Sequence, residues 1–284
     1  MEKWPSMIHH ANTNISHLIS IFLDLENAFL RVWQHHIFQI LHDFGLREPL
    51  PTILQNYLQN ISFRVKVGTT LSQPHSQLNG IPQGSPLSNT FFIVTINQVL
   101  SLIPQPTHPI LFVDDLSIHL YSSNLARAHR LLQLTIASTS ISLSNHGFRP
   151  SSSKSNLMIF HKTKSTSFFP PLLLSNTPIP RSHLFKFLGL QFHSSHSWVD
   201  HIKSIKAKCL NALNVIKYLV HPTTGCNRKT LLPLYQSLVR SILEYGSPIY
   251  GLSPKSHLAL LDPIQNSAIR LCTGAFRTLS LIHI

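Results

Sequence analysis

Hydrophobic positions along the chain change period several times, and each change marks an element. Residues 18–25 are almost continuously apolar up to Asp24, which reads as a strand ending in a carboxylate. From Arg31 to Phe44 the apolar positions Val32, Ile37, Leu41 and Phe44 follow helical spacing and stop near Gly45. Pro51 suits the first turn of a second helix, running to about Gln59. Phe63, Val65 and Val67 alternate with Arg64 and Lys66, a half-exposed strand with a basic face that Gly68-Thr69-Thr70 turns back toward residues 71–78. A helix follows from about Leu87 to Leu100. Ile110, Leu111, Phe112 and Val113 then run into Asp114-Asp115, and Leu116, Ile118 and Leu120 alternate out of it. This is a hairpin with carboxylates at or beside its turn, both faces of the entering strand reading as buried. A long helix spans Leu125 to Asn145 with Gly147 near its C-terminal cap, and Leu157–Phe160 is a further strand.

The second part of the chain differs. Residues 151–156 are rich in Ser and Lys, and 161–180, with four prolines, reads as a linker. Beyond Trp198 the pattern is helical. Ile202, Ile205, Cys209, Ala212, Ile216 and Leu219 keep one apolar face, with Lys203, Lys206, Lys208 and Lys217 mostly off it. Leu231, Leu234, Tyr235, Leu238 and Ile242 mark a second helix closed by Gly246, and Leu258–Cys272 a third, bent by Pro263. The expectation is an α/β domain followed by a small helical one, without internal repeats.

Composition narrows the partners. At 284 residues and 43% hydrophobic, the chain has ample material for a core. Charged residues make up only 12%, yet 23 Lys and Arg against 10 Asp and Glu give a formal charge of +13. That imbalance favours a polyanionic partner, nucleic acid before membrane. Cys209, Cys226 and Cys272 have no metal-site or disulfide pattern, and the 19 histidines have no zinc-motif spacing. No apolar leader segment opens the chain and no run of about 18 apolar residues occurs, so the expected protein is intracellular, nuclear or cytoplasmic, and neither secreted nor membrane-spanning.

Against so few acids, two adjacent carboxylates are conspicuous. Asp114 and Asp115 repel each other and stay ionised together only beside a cation, which suggests a divalent-metal site of hard oxygen ligands. Asp also favours turns, so an Asp-rich hairpin turn is the plain alternative. Two further stretches bear on the choice: Phe22-Leu23-Asp24-Leu25-Glu26-Asn27-Ala28-Phe29, and the loop Gly80-Ile81-Pro82-Gln83-Gly84-Ser85-Pro86-Leu87-Ser88 opening a helix.

Strand-Asp, Gly-loop-helix and strand-Asp-Asp, in that order, resemble motifs A, B and C of a reverse transcriptase. The wording is most similar to non-LTR, LINE-type retrotransposons of the arthropod jockey-like kind. The resemblance continues through Gly147-Phe148-Arg149 to Lys154 (motif D) and Phe185-Lys186-Phe187-Leu188-Gly189-Leu190 (motif E), covering residues 18–278. It implies an α/β (α+β) polymerase palm with a ferredoxin-like antiparallel sheet over 18–195, including a small fingers portion near 45–80. A helical thumb would occupy 196–284, and 1–17 would be a remnant of fingers that are mostly missing.

The same resemblance implies roles. Asp24 and Asp114 would bridge two Mg²⁺ ions, with Mn²⁺ as a substitute, and Asp115 would support them. Phe29 would exclude a ribose 2′-hydroxyl, although as a residue it is equally a core Phe starting a helix. The family's Asp after it is Leu30 here. Gln83 and Gly84 would position template base and incoming deoxynucleoside triphosphate, and Lys154 would meet the pyrophosphate. Phe187, Leu188 and Gly189 would hold the DNA primer on its RNA template, with Arg64, Lys66 and the lysines of 203–217 as phosphate contacts. Only 23 residues precede Asp24, so very weak or no activity is expected in isolation. The competing expectation is a catalytically inactive nucleic-acid-binding remnant of a transposable element.

Overall fold

The computed structural model describes residues 17–59, 61–161, 169–220 and 225–275. By internal contacts the chain divides into two compact units, one within Asn14–His183 and one within Leu184–Ile284.

In the first unit, strand β1 (His17–Leu25) leads to helices α1 (Ala28–Arg31), α2 (Gln34–Asp43) and α3 (Leu50–Leu58). Four two-residue strands follow, β2 (Ser62–Phe63), β3 (Lys66–Val67), β4 (Thr70–Leu71) and β5 (His75–Ser76), then helix α4 (Pro86–Leu100). Hairpin β6 (His108–Phe112) and β7 (Asp115–Ser122), helix α5 (Leu125–Asn145), strand β8 (Pro150–Phe160) and hairpin β9 (Leu173–Leu174) and β10 (Thr177–Pro178) complete the unit. The main sheet has the order β6-β7-β1-β8, antiparallel at each step. On one face Ile19, Ile21 and Leu23 of β1 and Leu116, Ile118 and Leu120 of β7 pack with Ala128, Leu132 and Ile136 of α5. A second core joins Leu25, Ala28 and Val32 to Phe91, Phe92 and Ile96 of α4.

Several expectations change. The helix expected over 31–44 is interrupted: Val32 is extended, and its carbonyl accepts the Gly80 N–H at 2.8 Å. β6 is not buried on both faces: it is one of the two edge strands of the sheet, none of its residues is fully buried, and Phe112 is 58% exposed. The alternation at 63–67 buries no apolar face; Val65 and Val67 are exposed in a pair of short ladders. The Ser-rich residues 151–156 belong to strand β8. Of the expected linker, residues 162–168 lie outside the described residues, and the rest is packed. Phe169, Leu172, Leu174 and Ile179 are buried in the α5 core, and the Gln133 side chain exchanges hydrogen bonds of 2.8 and 2.9 Å with the Leu173 backbone.

The second unit opens with hairpin β11 (Leu184–Phe187) and β12 (Leu190–His193), followed by α6 (Val199–Leu219) and α7 (Arg228–Tyr235). A π-helical turn, Gln236–Arg240, connects α7 to α8 (Ser241–Glu244), and α9 (Ser247–Tyr250), α10 (Lys255–Leu258) and α11 (Asp262–Thr273) follow. Ile202, Ile205, Cys209, Leu213 and Ile216 of α6 face a core with Leu231, Val239, Ile264 and Cys272. Lys203, Lys208 and Lys217 are exposed, as their off-face positions require. Pro263 does not bend a helix: it stands in the first turn of α11, where its missing N–H is not needed. Among the described residues no helix is long and apolar enough to cross a membrane.

One polar group sits inside the sheet. His119, fully buried, faces Ser20 across β7 and β1, and its ring nitrogens lie 2.8 Å from Ser20 Oγ and 2.9 Å from Ser117 Oγ. Burial, then the charge on His108, pushes its pKa down from 6.5 to about 3. The unfolded chain therefore takes up this proton first. The stabilisation is complete above pH 6.5 and drains away as the pH falls toward 3. We expect His119→Gln to remove up to about 1.4 kcal/mol per pH unit from the slope of stability against pH below 6. Urea titrations at pH 7, 6 and 5 check this; an unchanged slope refutes it.

Candidate active site

The β6–β7 hairpin closes through Val113 and Asp114, between the paired residues Phe112 and Asp115. Val113 has φ 55°, in the left-handed region that a β-branched residue avoids. Strain of this kind costs on the order of 1–3 kcal/mol and persists only where the surroundings over-determine it. The turn leaves Asp114 exposed and starts β7 with a half-buried Asp115. Register supplies the third carboxylate. Leu23 pairs with Leu116, so one further step along both strands sets Asp24 across from Asp115 on the same face. That face, with Ser20, Phe22, Ser117 and His119, is the one turned away from α5.

The carboxylates sense one another. Burial first, then the charges on Asp114 and Asp24, pushes the Asp115 carboxyl above its ordinary range. Asp24 Oδ2 is buried and accepts no hydrogen bond among the described residues. A cation stands beside it, Lys154 Nζ at 3.8 Å. Lys154 arrives there through a bulge in β8, not a loop. Pairing jumps from Phe22–Asn156 to Asp24–Ser151, so residues 152–155 of β8 stand opposite the single Leu23, an excess of three on the β8 side. Ser155 ties the bulge down: its hydroxyl accepts the Asp24 N–H at 3.2 Å and donates to the Ser151 carbonyl at 2.5 Å.

An under-bonded carboxylate oxygen beside a half-buried carboxyl held against its charge is what a hard divalent cation relieves. Among the described residues no three His, Cys, Asp or Glu side chains converge closely enough to hold an ion by themselves. Mg²⁺ does not need that many: it is usually held by one or two carboxylates together with water and substrate phosphates. The residues fit such an ion.

The other candidates lie on several further elements. Phe29, in α1, stacks on Phe92 of α4 with centroids 4.7 Å apart. The glycine loop is fixed to α1 by backbone: the Ile81 N–H donates to the Phe29 carbonyl at 3.0 Å. Ser88 Oγ donates to the Pro82 carbonyl at 2.6 Å, holding the turn that leaves Gln83 and Gly84 exposed. Gln83, with Leu30, Phe63, Gln77 and Ile81, lines an open cavity of about 600 Å³. Arg64 is exposed between β2 and β3. Glu26 turns to cations of its own, Arg149 at 3.6 Å and Arg31 at 3.8 Å. Phe187, Leu188 and Gly189 form the tip of the β11–β12 hairpin in the other unit.

Sequence reading missed Gly80 and Ser155 as individual residues. Gly80 has φ 84°, and a Cβ there would lie 2.7 Å from the Leu30 carbonyl oxygen. Its place in a glycine-bearing turn before a helix was the available signal. Ser155 offered none.

The family model described as reverse transcriptase (RNA-dependent DNA polymerase) matches residues 2–192. The chain belongs to the reverse transcriptase family. Relatives include the probable RNA-directed DNA polymerase from transposon X-element of Drosophila melanogaster, 26% identical over 90% of this chain. Another is the RNA-directed DNA polymerase from mobile element jockey of the same species, 25% identical over 93% of this chain. The chain spans only 28% and 29% of the lengths of these two proteins. Among solved structures, telomerase from Candida tropicalis in complex with a telomeric RNA fragment superposes with a TM-score of 0.51. That match, at 13% identity, covers 97% of this reverse transcriptase chain and 43% of the telomerase, and it shows a shared fold.

We expect Gly80→Ala to lose more than about 2 kcal/mol of stability, since a left-handed Cβ costs about 1–2 kcal/mol before any clash is counted. Denaturant midpoints measure it. A loss below about 0.5 kcal/mol, the range of ordinary surface changes, would contradict the close approach to Leu30.

Proposed function

We propose that this chain carries out RNA-directed DNA synthesis as part of a retrotransposon-encoded protein, as its jockey and X-element relatives do by name. The observation that carries the reading is the β1–β7 register, which sets Asp24 across from Asp115 beside the strained turn bearing Asp114. On this reading residues 18–195 are a palm with a ferredoxin-like sheet, running from β1 through the β11–β12 hairpin. The exposed β2–β5 region is its small fingers portion, and the helices after β12 are the thumb.

When bound, two Mg²⁺ or Mn²⁺ ions supply Lewis-acid activation of the attacking primer hydroxyl and charge neutralisation at the leaving pyrophosphate. Asp24 and Asp114 would hold them, with Asp115 in support and water and substrate phosphates completing the ligand set. Lys154 neutralises Asp24 in their absence and offers its ammonium to the phosphates of the deoxynucleoside triphosphate. Phe29, braced by Phe92, forms the floor under the sugar and leaves no room for a 2′-hydroxyl. Gln83 lines the cavity and Gly84 follows it in the exposed turn, where template base and nucleotide meet. The tip Phe187-Leu188-Gly189 contacts the primer strand, and Arg64 contacts template phosphates. The charge of +13 favours binding of both strands and makes it fall with added salt.

Primer extension tests the assignment. With a DNA primer annealed to RNA, we expect incorporation of deoxynucleotides that requires Mg²⁺ or Mn²⁺ and drops at least about 100-fold in Asp114→Asn, the scale on which transition-state charge stabilisation is lost. Extension that survives Asp24→Asn would refute it. Salt-dependent binding of the primed duplex with no extension by the unaltered chain would favour the inactive nucleic-acid-binding alternative.

A further inference from the structure

The β11–β12 hairpin turns through Leu188 and Gly189, with φ of 46° and 78°. Two successive left-handed residues give the tight turn whose twist suits a hairpin. Glycine adopts that conformation freely; leucine does so against its Cβ. A contact from outside the hairpin adds to what the flanking ladder does to keep Leu188 there.

Tyr245, just after α8, makes that contact. Its hydroxyl donates to the Leu188 carbonyl at 2.7 Å. Its ring lies against the neighbouring residue, where a Cβ on Gly189 would come 2.9 Å from Tyr245 Cε1. Gly246, with φ 74°, lets the chain after the tyrosine press on the Leu190 side chain. Further along β12, the Gln191 N–H donates to His201 Nδ1 at 3.3 Å. The carbonyl side of the turn is thus tied to the helices. Its two N–H groups are not: among the described residues neither the Leu188 nor the Gly189 N–H makes a hydrogen bond.

We propose that Tyr245 is a positioning residue for this turn, fixing Leu188 in its left-handed conformation so that the Leu188 and Gly189 N–H groups are presented to a phosphodiester of the bound primer. The proposal rests on the assignment of this tip to the primer strand made above. Backbone N–H groups are common phosphate partners. A turn locked beforehand binds more tightly than one that must be ordered on contact. Tyr245 touches neither strand itself and acts through Leu188.

Fluorescence anisotropy of the full chain tests this with two probes, a labelled RNA template alone and the same template carrying an annealed DNA primer. Tyr245→Phe keeps the ring and removes the hydroxyl. We expect about 5-fold weaker binding of the primed template, the scale of one lost net hydrogen bond, and no change for the unprimed one. In a Leu188→Gly background, where the left-handed strain is gone, the same tyrosine change should cost less than about twofold. Equal weakening on both probes, the same loss in both backgrounds, or no loss would each overturn the role of Tyr245. An unaltered chain that shows no preference for the primed template would overturn the primer assignment itself, and this proposal with it.

Discussion

Everything at the candidate active site depends on one pairing, Leu23 with Leu116. Side chains on a strand alternate faces, so a slip of one residue between β1 and β7 would send Asp24 into the apolar core under α5 and bring Leu23 to the open face. What forbids the slip is burial. Ile19, Ile21, Leu116 and Ile118 are all less than 2% exposed against α5, and moving them out of that core costs far more than any gain at the carboxylates. Like charges are thus held together by apolar packing a few residues away. Among the described residues only Lys154 forms an ion pair with these three aspartates, and a divalent cation is the species that relieves their repulsion best.

The same logic of support from a distance recurs in the loops. Val113 and Leu188 both sit at positive φ in two-residue hairpin turns, and neither is a residue that chooses that conformation. Val113 is held by the ladder on either side of it. Leu188 is held by its own ladder and by a tyrosine hydroxyl from a helix end. Gly80 represents the opposite case, where two stretches of backbone approach so closely that no side chain is possible.

The central strands and the long helix Leu125–Asn145 were legible from sequence because burial writes periodicity into the chain, and the Asp114-Asp115 pair at a hairpin turn was legible because it stands out among ten acids. What failed was whatever depends on the neighbour rather than on the segment. β6 has the composition of a buried strand yet lies at an edge. The residues after Phe169 look like linker, but Gln133 and His129 of α5 bond them and Leu172 and Leu174 are buried against that helix. Lys154 reads as a solvated loop lysine until β8 is seen to bulge opposite Asp24. Pro263 carries the same φ whether it kinks a helix or begins one, so only the position of the helix start decides between them. Tyr245 had no local signal at all, since its partner is 57 residues away.

The edge position of β6 has one further effect. An unpaired strand border invites a strand from another molecule, and two of the three carboxylates belong to the hairpin that forms this border. Pro109, the second residue of β6, contributes no N–H to that row. His108 and Phe112, at the two ends of the strand, are exposed. A five-residue border missing a donor is a poor template for sheet growth. Self-association by edge pairing is therefore discouraged at the very margin where the hairpin tip must stay open to a ligand.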